Sequence, residues 1–182
     1  MSLVLSIFLL SIGASFIQRT TGFGFGIFIM TMLPFLMPSF GEATTLSGLL
    51  AITTSAAIVW RLRGYVTWSR HWPILLTFII VSTVAIFALT RIEDQILRRI
   101  LGVALILISI YFMLFSQHIK LSTTKKVQVG AGTLSGLMGG FFGMQGPPAV
   151  LYFIQSEPTK EHYMGMTQTY FLIGNVIKKT NI

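Results

Sequence analysis

Apolar positions along this chain come in long runs rather than alternating with polar ones. The runs cover residues 3–18, 25–37, 43–60, 72–89, 96–116, 127–154 with an internal break, and 163–177. A helix that crosses roughly 30 Å of hydrocarbon needs about 20 mostly apolar residues, and these runs reach or approach that length. No segment alternates with period two, which argues against a transmembrane β-barrel. The pattern predicts an all-α fold: a polytopic transmembrane helical bundle.

Two glycine-rich breaks interrupt the runs. The first is Arg19-Thr-Thr-Gly-Phe-Gly-Phe-Gly26, and the second is Gly139-Gly-Phe-Phe-Gly-Met-Gln-Gly-Pro-Pro148. Each is followed by a polar loop carrying a glutamate, Glu42 or Glu161. A constant offset of 119 superposes Gly13 on Gly132, Gly24 on Gly143 and Glu42 on Glu161. That recurrence suggests an internal duplication. It divides the chain into residues 1–116, a first transmembrane repeat unit plus connecting helices, and residues 127–182, a second unit incomplete at its C-terminus. Three topologies remain open from the pattern. Re-entrant turns at the breaks give inverted repeats, single broken crossings give parallel ones, and a true loop at the first break gives seven spans.

Composition removes the soluble alternative. The chain is 53% hydrophobic and 10% charged with mean hydropathy +0.78, against about 25% charged in a typical soluble domain. Thirteen Lys+Arg against five Asp+Glu give a net charge of +8, which in a soluble protein would point to nucleic acid. Here the basic residues stand at the ends of apolar runs, so they read as topology-setting loop charge. The loops 61–71 and 117–126 are thereby predicted to be cytoplasmic, in a multi-pass protein of a bacterial-type cell (plasma) membrane. Cysteine is absent, which excludes disulfides, thiolate metal sites and a cysteine nucleophile. Residues 1–11 carry no Lys or Arg, so they read as a retained first helix and not as a cleavable signal peptide.

The candidate chemistry gathers at the breaks. Unwound backbone at membrane depth persists only where it lines a cavity or is buried in protein. A half-helix N-terminus presents unpaired N–H groups and partial positive charge to an anion. The predicted substrate-binding set is therefore Gly22, Gly24, Gly26, Gly143, Gln145, Gly146 and Pro147, with Arg19 as counter-charge and Thr20 and Thr21 beside it. The competing reading of Arg19 is a side chain that snorkels to the headgroups at the end of its helix. Gly132, Gly136 and Gly140, spaced by four, read as helix-packing positions. Thr53, Thr54, Ser55, Gln168 and Thr169 read first as residues bonding neighbouring helices. Glu42 and Glu161 fall in polar loops and read as solvated or helix-N-terminal carboxylates.

Enzyme signatures are poor. Ser122-Thr-Thr-Lys125 has the Ser-x-x-Lys spacing without its supporting motifs, and Ser135-Gly136 with His162 lacks a nucleophile motif. His71, His118 and His162 have no metal-ligand spacing. Gly22-x-Gly-x-Gly26 has no flanking strand for a dinucleotide site. No enzyme activity, metal or cofactor is implied.

At these breaks the chain resembles the sulfite exporter TauE/SafE (TSUP) family of membrane transporters. The resemblance rests on Gly22-Phe-Gly-Phe-Gly26 with Pro34, and on residues 139–148 with the apolar run that follows. It implies two related helical units and export of sulfite or an organosulfur anion, with the bilayer and that small anion as partners, no nucleic acid, and a homo-oligomer left open. Members are typically longer, so the resemblance also implies a second unit cut short. The alternative from another class is a membrane assembly or scaffold protein whose glycines only pack helices.

Overall fold

The computed structural model describes residues 3–114 and 123–180. Among them the regular structure is helical throughout: α1 (Leu3–Thr21), α2 (Phe25–Met30), α3 (Leu33–Leu36), α4 (Phe40–Leu62), α5 (Trp68–Leu89), α6 (Asp94–Leu114), α7 (Lys125–Phe142), α8 (Gly146–Ser156) and α9 (Lys160–Thr180), with a 3-10 turn at Arg63–Tyr65. Three of the described helices are long and apolar enough to cross a membrane: Leu3–Thr21, Phe40–Tyr65 and Trp72–Leu89.

Local chemistry sets several of these boundaries. Ser39 caps α4 by accepting the Glu42 N–H at 3.1 Å, the Ser-x-x-Glu arrangement that satisfies an orphan donor at a helix start. Thr159 does the same for α9, its hydroxyl accepting the His162 N–H at 3.3 Å. This cap starts α9 at Lys160 and not at Tyr163, and the helix continues to Thr180. Its 21 residues correspond to about 31 Å, where the apolar run alone marks out only 15 residues. The run predicted at 25–37 divides into α2 and α3, with Thr31 and Met32 forming the turn between them.

Both glycine breaks reverse the chain. A Cβ on Gly13 of α1 would lie 3.2 Å from the Phe28 ring of α2, so α2 folds back along α1. Gln128 of α7 donates to the Tyr152 hydroxyl of α8 at 2.6 Å, and Ser135 of α7 donates to the Gln145 carbonyl. α8 therefore returns along α7. The long helices α4 and α9 run antiparallel side by side: Gly48 approaches Asn175, while Gly165 approaches Leu62 at the other end.

The buried apolar side chains form two clusters. One joins Ala14, Phe25, Ile29, Leu33 and Phe40 with Leu97 and Leu101 of α6. The other joins Ile74 and Phe78 of α5 with Ala149, Phe153 and Tyr170 of α8 and α9. α5 thus packs with the second half of the chain. Gly132, Gly136 and Gly140 of α7 face it, and a Cβ on Gly132 would sit 2.7 Å from the Ile74 carbonyl oxygen. Their role is close helix approach, as the four-residue spacing predicts. At the opposite end Asp94 accepts the Phe40 N–H at 2.8 Å and Arg98 donates to the Pro34 carbonyl, which ties the α3–α4 turn to the start of α6.

Candidate functional site

The two breaks meet. Gly24 and Gly143 both take left-handed backbone conformations, with φ of 95° and 67°, where an L side chain would clash with its own carbonyl. Each lets the chain turn tightly and carry the next helix back toward the centre of the bundle. Gly26 then lies against the second break, so that a Cβ there would come 2.7 Å from the Gly143 carbonyl oxygen.

Between them, enclosed by α4 and α9, is a small cavity of about 30 Å³. Its backbone wall comes from Gly24, Gly26, Gly143 and Gly146. Its polar side chains are Gln18, Ser55, Gln145 and Asn175. All four are nearly fully buried. None is charged, so whatever occupies the cavity meets amides, a hydroxyl and backbone dipoles. Gln145 donates to the Phe171 carbonyl at 3.2 Å, while its Oε1 has no hydrogen-bond partner among the described residues. That oxygen rests against Gly174, where any larger residue would displace it.

The half-helix starts differ in donor supply. Helix α8 begins at Gly146 and places Pro147 and Pro148 in its first turn, so two of its first-turn positions have no N–H to offer. Phe25, Gly26 and Ile27 in the first turn of α2 keep theirs, and the Phe28 N–H is the first to be used within the helix, bonding Gly24 O at 2.9 Å.

One side of the cavity is closed by a pair of glutamines. Gln18 Nε2 donates to Gln168 Oε1 at 2.6 Å and to Ser55 Oγ at 3.0 Å. Gln168 Nε2 donates to the Gly22 carbonyl at 2.7 Å, and Thr54 Oγ1 donates to Gln18 Oε1 at 3.0 Å. This glutamine latch ties α1, α4 and α9 together at the first break.

The sequence-predicted residues separate into three groups. Gly24, Gly26, Gly143, Gln145 and Gly146 line the cavity. Gly22 and Pro147 are buried beside it, Gly22 serving the latch through its carbonyl. Arg19, Thr20 and Thr21 are exposed. The two threonine hydroxyls are spent on nearby backbone carbonyls. Arg19 lies outside the cavity, in a cleft with Arg61, Tyr65 and Glu161. Successive helix positions point about 100° apart, so with Gln18 turned inward its neighbour is turned out.

Three polar cavity residues lie outside the sequence-predicted set: Gln18, Ser55 and Asn175. Asn175 carries the clearest missed signal, a polar amide within the apolar run 163–177, where membrane depth would make it costly without a role.

Comparison with known proteins gives one finding. The family model TauE, described as Sulfite exporter TauE/SafE, matches residues 7–180. No curated protein and no solved structure matches.

Proposed function

We propose, on the premise that the chain belongs to the sulfite exporter TauE/SafE family, that it is a secondary transporter exporting sulfite or a related organosulfur anion through the cavity between its breaks. The observation that carries this reading is the contact of Gly26 with Gly143. It brings two unwound segments to one point between α4 and α9, the arrangement expected where discontinuous helices hold a substrate.

Neutral dipoles suit a carrier, which must bind its anion and also let it go. A cavity of about 30 Å³ has room for a water or two, at roughly 10–15 Å³ of such volume each. The structure therefore corresponds to a closed conformation, and carriage of an anion requires the two hairpins to part. We read residues 1–116 and 127–182 as two units related as inverted repeats. The chain reversals at both breaks and the antiparallel run of α4 against α9 favour that reading over parallel repeats. The loop 61–71 is assigned to the cytoplasmic side on charge. Of its cytoplasmic companion 117–126, residues 117–122 lie outside the described residues.

Sulfite flux into proteoliposomes, with sulfate and chloride as controls, tests the proposal. Saturable sulfite flux is expected from the wild type. Asn175→Leu, which keeps the branching of the side chain but not the amide, is expected to cut it about tenfold or more, the loss of roughly 1.4 kcal/mol of binding, at unchanged folded yield. Folded protein that carries no anion would leave the scaffold reading in its place.

A further inference from the structure

Outside the latch lies a cleft of about 420 Å³ where α1, α4 and α9 converge. It is large enough for a hydrated small anion, which the central cavity is not. Arg19 closes α1 and Arg61 stands in the last turn of α4, positions where a cation also meets the negative end of the helix dipole. Tyr65 and Glu161 complete the polar wall, and the buried side chains of Ile58 and Met164 form its floor.

Two other arginines are engaged elsewhere. The Arg63 guanidinium lies 5.1 Å from the centre of the Trp60 ring, and Arg98 donates to the Pro34 carbonyl. Arg19 and Arg61 have no hydrogen-bond or ion-pair partner among the described residues. Two free guanidinium groups facing one cleft form a surface for oxyanions, which they grip through paired N–H donors.

The cleft is joined to the cavity through the latch. Arg19 follows Gln18 in the chain. Met164 packs on Gly22, whose carbonyl is held by Gln168 one turn further along α9. We infer that the Arg19–Arg61 cleft is a second oxyanion site, a vestibule that concentrates the transported anion on the side of the glutamine latch away from the cavity. This rests on the transport reading above. Glu161 leaves the cleft with a single excess positive charge, which attracts an anion without trapping it. A lipid phosphate headgroup shares the same chemistry, so the test separates the two sources.

Sulfite flux is measured in phosphatidylcholine proteoliposomes at low salt, alongside thermal shift of the lipid-free protein in neutral detergent with sulfite or phosphatidylglycerol added. Arg61→Ala and Arg19→Ala are expected to raise the KM for sulfite about fivefold or more with kcat within about twofold, because the cleft acts on capture. Arg61→Lys falls between, and Glu161→Gln lowers the KM. Added salt raises the wild-type KM and has less effect on Arg61→Ala. Wild-type flux with KM unchanged in both alanine variants overturns the vestibule and leaves transport standing. Absence of flux, with sulfite stabilising the wild type but not Arg61→Ala, upholds the cleft and sinks the transport reading. Stabilisation by phosphatidylglycerol and not by sulfite makes the cleft a headgroup clamp and overturns it as a substrate site.

Discussion

Helices α1 and α7 hold corresponding places before the two breaks, yet the four-residue ridges that mark them are of opposite kinds. Along α1 the ridge Val4, Phe8, Ile12 and Phe16 carries large side chains that face outward. Only Ala14 and Gln18 of that helix are buried. Along α7 the ridge Gly132, Gly136 and Gly140 carries no side chains and is pressed against α5. The offset that aligns Gly24 with Gly143 aligns two glycines doing the same work, since both turn the chain. Applied to Gly13 and Gly132, it aligns one glycine beside a movable ring with another beside a rigid carbonyl. The two breaks share the turn and differ in the packing of the helix that precedes it.

The largest expected effect breaks the comparison at its packing end. Gly140→Leu would drive a side chain into Ala85, whose Cβ lies 2.5 Å from the position of an added Cβ, and into the Ser82 carbonyl at 2.8 Å. Overpacking of this kind costs about 1–3 kcal/mol or more, and thermal melting in detergent should show a marked fall. Gly13→Val meets only the Phe28 ring and should fall clearly less. Equal losses would mean that α1 and α7 are packed alike after all.

Next come the turns themselves. Gly24→Ala and Gly143→Ala each force an alanine into left-handed backbone at a cost of about 1–2 kcal/mol. The two should lose similar stability, and both should lose sulfite flux. A large loss in one alone would show that the two breaks do not share a role.

The latch belongs to the first break only, and cutting it sharpens the difference further. The chain contains no cysteine, so Ser55→Cys serves as a single reporter of access to the cavity. It should react slowly with a water-soluble maleimide. Gln168→Leu removes a buried pair of hydrogen bonds worth about 1–3 kcal/mol, and labelling should accelerate about tenfold. Unchanged labelling would show that the cavity is sealed elsewhere. The smallest effect is expected from Gly130→Ala on α7, where nothing lies within 4 Å of an added Cβ. Its melting temperature should stay level or rise slightly, by up to about 1 kcal/mol of helix propensity.

Helix positions and both breaks were legible because their signals are local: apolar length, glycine clusters and proline at a helix start. The start of α9 is hidden in the sequence because its first turn, Lys160-Glu-His162, is polar and its cap, Thr159, is a loop residue. Arg19 adjoins a break in sequence, whereas helix geometry turns it toward the cleft it shares with Arg61. The latch joins residues 150 positions apart, and no pattern within either segment reveals that pairing. Of the three polar cavity residues outside the predicted set, Ser55 reads in the sequence as a residue bonding a neighbouring helix, and Gln18 only as the end of the first apolar run. Asn175 lies within an apolar run whose length alone carries no mark of a site.

The latch is built wholly from amides, hydroxyls and a backbone carbonyl. None of these groups gains or loses a proton across the range in which cells live. The consequence concerns acidity: a seal of this composition keeps its hydrogen bonds equally in acid and in alkali, so a pH difference across it gives no signal to open or to close.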